Sequence, residues 1–329
     1  MTVLTITHNA FLESIRQPIF GVLLLTGMLA MVFNVNLAAF TLEDDNKILV
    51  DLGLSTLFVC GLLLAAFTAT SVLTREIENR TVVTVVSKPV ARPAVVVGKY
   101  LGVAAALAIG FWSLAVVFLL TVRHRVPSSD RLDTGFDGPV LVAGLTATVA
   151  AVLLAATANY LRGRPFSSVF VATNAIAATA ALAVAWSLDK SWRLQNPTTE
   201  WNPQLMIAVA LVFEAILLLA AVAIAASTRL GQVMTLMVCV GVFLGGLVTE
   251  YFLGTVVGDA WTGPAWIRWL AWPVYAAWPN MQFFWQADAL TQGNEISLAH
   301  LGSVSLYAAA MIVAFLSLAV LVFQQRDVG

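Results

Sequence analysis

Residues 100–122 read Y-L-G-V-A-A-A-L-A-I-G-F-W-S-L-A-V-V-F-L-L-T-V, an apolar run without a single charge. A helix needs about 20 such residues to cross the hydrocarbon layer of a bilayer. Seven further stretches repeat the pattern, at 19–41, 52–74, 138–161, 165–188, 201–228, 230–249 and 301–323. Only 201–228 carries a charge, Glu214. Lipid offers no partner to an open strand edge, so spanning segments are helices or closed barrels. No ten-residue segments of alternating polarity point to a barrel. The sequence therefore predicts an all-α integral membrane protein of about eight transmembrane helices, a single domain over 1–329.

Composition agrees. Hydrophobic residues make up 60% of the 329 positions and charged residues 11%, where a soluble domain carries roughly 25% charged. The net charge of −1 and the scattered basic residues give no footprint for nucleic acid. Cys60 and Cys239 lie inside apolar runs, away from any CxxC or Cys/His spacing, and read as small buried hydrophobes. Residues 1–17 are mixed in polarity, unlike a cleavable signal. Leu4, Phe11 and Ile15 recur near helical spacing there, which predicts an amphipathic helix lying in the interface before the first span, the alternative being a plain soluble extension.

An even number of spans puts both termini on one side. With the termini cytoplasmic, the inner segments hold ten Lys and Arg residues and the outer loops seven. The inner ten also occupy much less loop sequence, which favours that orientation; the chain is expected in the cell's inner (plasma) membrane. Arg123-His124-Arg125, on the outer side, goes against the trend.

Three features stand apart from the spans. The inner connection 75–99 reads R-E-I-E-N-R-T-V-V-T-V-V-S-K-P-V-A-R-P-A-V-V-V-G-K. Arg75, Glu76, Glu78 and Arg80 form a knot of alternating charge, followed by a small valine face and then by Pro89 and Pro93. Such a segment suits docking into a partner's groove at the membrane surface, or is simply a solvated loop. The outer stretch 251–300 holds six of the ten tryptophans, including Trp266, Trp269, Trp272 and Trp278. Indoles favour the headgroup region, so this is expected to lie in the interface or dip in as a re-entrant element before the last span. Pro264, Pro273 and Pro279 are expected to break it into short pieces; its role is an outer gate or a passive anchor. Glu214, near the middle of its span, costs about 2.5–3.5 kcal/mol on the insertion scale and so should face the bundle interior or a wet cavity. It lines a pathway, or makes a structural contact with a neighbour such as Asn174.

Several signatures are missing. Gly98-Lys99 lacks the upstream glycine of a Walker A loop, and Tyr100 stands where Ser or Thr belongs. The three histidines, His8, His124 and His300, are isolated, and no catalytic triad or metal spacing occurs. No catalytic residue, cofactor or metal site is expected, and ATP-driven work would need a separate ATPase chain.

The run E-I-E-N-R-T-V-V-T-V-V-S-K-P-V-A-R, with G-K-Y-L-G after it, resembles the coupling segment of type-2 ABC transporter permeases. That exporter class includes permeases of the multicopper-enzyme maturation and gliding-motility type. Three weaker pieces accompany it: H-N-A-F-L-E-S-I-R-Q-P before the first span, A-I-A-A-S-T-R-L-G at 223–231, and W-P-N-M-Q-F-F-W-Q-A-D-A-L before the last. The resemblance implies a homodimer or heterodimer of permeases on two cytoplasmic ABC ATPase subunits, which would bind the ATP. Glu76, Glu78, Arg80 and Thr81, beside Arg75, would dock into the ATPase. Lys88, Pro89 and Arg92 would shape the return to the membrane. The family's usual six spans are exceeded here by two, and 138–188 is the expected extra helical hairpin.

Two other functions stay open. An ATP-independent secondary carrier usually shows broken polar helices in matched repeats, where this sequence offers chiefly Glu214. A membrane-embedded enzyme should show His, Asp or Glu clustered at one membrane face. Substrate is not legible.

Overall fold

The computed structural model describes residues 3–39, 45–78, 91–126, 135–258 and 261–324, with backbone alone for 74–78. Among these residues there is no strand, only an isolated bridge between Leu188 and Leu194. The described residues are all-α, and eight of their helices are long and apolar enough to cross a membrane. They follow a first helix, α1 (Val3–Arg16), which is amphipathic and too short to span. The eight are α2 (Pro18–Ala38), α3 (Asp45–Glu78), α4 (Arg92–His124), α5 (Gly138–Arg162), α6 (Phe166–Ser187), α7 (Pro203–Ser227), α8 (Gln232–Thr249) and α11 (Leu298–Gln324). α8 runs on through a π-turn, Glu250–Gly254, to Val257. Between α8 and α11 lie α9 (Ala265–Ala277) and α10 (Ala287–Thr291).

α4 and α7 are the centre. Of their apolar stretches 72% and 78% are buried, against 22% for α5 and α8 and 11% for α11. Hydrophobicity does not set this order, because lipid tails are as apolar as leucine. Small residues do, since they let backbones approach. α7 buries Ala208, Ala215, Ala220, Ala221 and Ala223, and α4 buries Gly102, Ala106, Gly110 and Ala115. α3 packs on α2, α4 and α7, while α11 lies along α7 and α4.

The hairpin 138–188 is α5 and α6, packed on each other, with α6 against α4 and α2. Asp137 caps its start, accepting from the Val140 amide at 3.1 Å. Its basic turn closes on Gly163 at φ +60°, a left-handed position that suits glycine. The Arg164 amide donates back to the Ala158 carbonyl at 3.4 Å and the Asn159 side chain donates to the Arg164 carbonyl at 2.8 Å.

Candidate functional site

The connection 75–99 is set between the two longest helices. α3 has 34 residues and α4 has 33, about 50 Å each at 1.5 Å per residue. α3 continues unbroken past the apolar layer, so Arg75, Glu76 and Glu78 ride on the same helix that spans. Arg80, Thr81, Lys88 and Pro89 lie outside the described residues. Arg92 opens α4 behind an extended Ala91, with Pro93 in the first turn where its missing N–H has no partner to lose. The Arg92 guanidinium donates to the Gln324 carbonyl at 2.7 Å. Arg229, from the turn after α7, donates to the Val322 carbonyl at 3.4 Å. Two arginines from separate turns thus supply the positive groups that the last turn of α11 lacks. No spacing in the sequence announces that convergence.

The start of α4 is fixed by the motif G-K-Y-L-G, each polar or small member of which meets a different neighbour. A Cβ on Gly98 would lie 2.9 Å from the Ile6 Cβ, and one on Gly102 would lie 2.5 Å from the Ala10 Cβ and 2.6 Å from the Thr7 carbonyl. The two glycines, four apart, are the seat on which α1 rests. Lys99, between them, is buried and donates to the Val72 carbonyl of α3 at 3.0 Å. Tyr100 donates to the Leu217 carbonyl of α7 at 3.3 Å. The Gln17 amide reaches the Ser71 hydroxyl of α3. The charged connection is therefore rooted in α1, α3 and α7 together.

Glu214 does face inward, but its partner is not Asn174. The Ser305 hydroxyl of α11 donates to its Oε1 at 2.6 Å, while Oε2 is buried without a hydrogen bond. Asn174 is fully buried with both amide atoms unbonded. It sits on α6, which packs on α5, α4 and α2, whereas Glu214 on α7 bonds to α11. Sequence gave no sign of a partner 91 residues away.

At the end of the bundle opposite α1, the tryptophans divide. Trp266, Trp269 and Trp272 on α9 are 60–80% exposed, whereas Trp278, 38% exposed, has part of its ring against α8. Its ring would lie 2.6 Å from a Cβ on Gly245. Pro273 does not break the segment as expected. It sits in the third turn of α9, where it removes one backbone bond shortly before the helix ends at Ala277. Asn280 is the fastening: its side chain donates to Glu250 Oε2 at 2.8 Å and its amide to the Tyr307 hydroxyl at 2.8 Å. Tyr275 donates to the same Glu250 oxygen at 2.9 Å. Burial, with the Glu250 carboxylate beside it, raises the Tyr275 phenol above its ordinary value and keeps it a donor. Gln282 adds a bond to the Leu247 carbonyl at 2.5 Å. The W-P-N-M-Q stretch is a bolt between α8 and α11.

Of the Arg123-His124-Arg125 cluster that goes against the charge bias, Arg123 has a paired carboxylate. Arg123 is buried, with Nε 3.3 Å from Asp137 Oδ2 and Nη2 donating to the Leu188 carbonyl at 2.5 Å. His124 Nδ1 accepts from the Asp137 amide at 3.2 Å. Cys60 and Cys239 are free thiols. Among the described residues no group of three or more His, Cys, Asp or Glu side chains comes together. The sequence matches no family model and no curated protein.

Proposed function

We propose that this chain is the membrane-spanning permease of an ABC-type exporter, coupling ATP hydrolysis on separate cytoplasmic subunits to export across the inner membrane. One observation carries the proposal. The charged connection 75–99 joins two helices of about 50 Å, well beyond the ~30 Å hydrocarbon layer, and its roots engage three other helices. Force applied at Glu76 and Glu78 would pass along α3, and through α4 into the buried centre, without an intervening hinge among the described residues. That is the mechanical requirement for a docking segment driven by a partner. The resemblance of the same residues to an exporter coupling segment supports it, with both termini cytoplasmic and a second permease copy completing the assembly. ATP would be bound by the partner and not by this chain.

The test is co-purification. The tagged full-length chain, co-expressed with a candidate ABC ATPase subunit, should retain that subunit and stimulate its turnover. Glu76→Lys with Glu78→Lys should release it while the permease still elutes as a single species. Retention by the reversed variant would refute the docking assignment. A secondary carrier is favoured only by Glu214, whose Oε2 is buried and unbonded. Proton-driven uptake into vesicles without any ATPase, lost in Glu214→Gln, would replace the exporter proposal with that one.

A further inference from the structure

A cleft of about 350 Å³ opens at the end of the bundle opposite α1, between the end of α4, the end of α6 and the start of α7. Its inner wall is apolar, with Leu119 and Val122 from α4 and Leu205 and Met206 from α7. Its outer wall is polar and aromatic, with Arg125, Glu200, Trp186 and Trp201. The ends of three spanning helices lie at the level where a bilayer changes from acyl chain to headgroup, and indoles favour that level. The two-sided lining therefore matches the change in the surrounding solvent.

The polar groups are of opposite sign. Arg123, in the back wall, is neutralised by Asp137. Arg125 is exposed and has no carboxylate partner among the described residues. Its backbone stands at φ +60° and ψ 173°, a conformation natural to glycine and strained for any L side chain. Glu200 is half-buried, with Oε1 accepting from the Gln195 side-chain Nε2 at 3.4 Å. Beside it the indoles of Trp186 and Trp201 meet edge to face, with centroids 5.7 Å apart and planes at 86°. Two indoles at a right angle next to a carboxylate make a corner for an ammonium group. A guanidinium at the lip is suited to a phosphate.

We propose that this cleft binds the headgroup of a zwitterionic aminophospholipid. Arg125 takes the phosphate, and Glu200 with Trp186 and Trp201 takes the protonated amine. A cleft of about 350 Å³ is at the small end of the roughly 300–1,000 Å³ range of ligand sites, so it admits a headgroup and leaves the acyl chains outside. An anionic glycerol headgroup would satisfy Arg125 but place no cation at Glu200. The site does not depend on the exporter proposal, because it needs no ATPase.

Native mass spectrometry of the full-length protein, released from detergent with phosphatidylethanolamine and phosphatidylglycerol of matched chains, tests it. Wild type should retain the ethanolamine lipid over the glycerol lipid by about tenfold. Glu200→Gln should bring the two to near parity, and Trp201→Leu should reduce the ethanolamine lipid alone. Arg125→Gln should lower both, and Arg125→Lys should restore part of that loss. Each variant is checked for an unchanged elution profile, and Glu200→Gln, being isosteric, keeps the test valid if Arg125→Gln misfolds. Equal retention in wild type and Glu200→Gln overturns the proposal. So does displacement of the lipid by chain-free glycerophosphoethanolamine at equal concentration, which would make the site one for a soluble phosphate amine.

Discussion

Two cations lie buried on the same helix, near opposite ends of α4. Lys99 is 6% exposed and Arg123 is 8% exposed. Lys99 donates to a backbone carbonyl of α3, in the turn that also receives α1. Arg123 faces a carboxylate, Asp137, which at the same time caps α5. Lys99 thus ties a neighbouring backbone, while Arg123 is half of a pair and brings no net charge to its end. The positive-inside count gives each the same weight, although their physics differ. With Arg123 neutralised, Arg125 is the one arginine of that cluster that still counts against the proposed orientation.

The contrast can be broken at three places. Asp137→Asn should have the largest effect. It keeps the cap but leaves Arg123 buried and uncompensated, a loss of about 3–5 kcal/mol. Thermal unfolding in detergent reads it, and Arg123→Met combined with Asp137→Leu should recover most of the stability. If the double variant is no better than the single one, the pair is not the unit. Gly102→Leu comes next, because its side chain has nowhere to go between Ala10 and the Thr7 carbonyl. Overpacking of this kind costs about 1–3 kcal/mol. It should appear as α1 lifting from α4, seen as faster proteolysis near residue 10 with the remaining bundle intact. Lys99→Met should be mildest, with about 1.5 kcal/mol from the charge-assisted bond to the Val72 carbonyl. A loss as large as that of Asp137→Asn would erase the distinction between the two ends.

The spans were legible because lipid selects for apolar runs of about 20 residues whatever the tertiary structure. Their ends were not. α3 begins at Asp45 although the apolar run starts at 52, and α4 begins at Arg92 although its run starts at 100. Composition marks where lipid stops, whereas a helix continues into water as long as nothing breaks it. Asp51 and Lys99 sit in those overhanging turns. Partners across the bundle were illegible for a different reason. Glu214 with Ser305, and Arg92 with Gln324, join residues whose proximity arises only when α11 packs back onto α7 and α4. The division among the tryptophans was hidden as well, since Trp272 and Trp278 look alike in sequence. Only the bare backbone of Gly245 makes room for the second. In G-K-Y-L-G, the role of the two glycines as the seat of α1 was not legible either, because it depends on Ile6 and Ala10 packing back onto α4.

The π-turn at Glu250–Gly254 changes the phase of α8. A helix advances by about 100° per residue, and a π-turn holds one more residue than an α-turn. Side chains on the two sides of it therefore belong to different angular series, although the backbone is continuous. The predicted span ended at Thr249, one residue before the slip. A wheel drawn with a single period from Gln232 to Val257 would put the far residues on the wrong face. Removing one residue between 250 and 254 would restore a single phase and turn Thr255–Val257 about the axis relative to Glu250, while leaving composition and length almost unchanged.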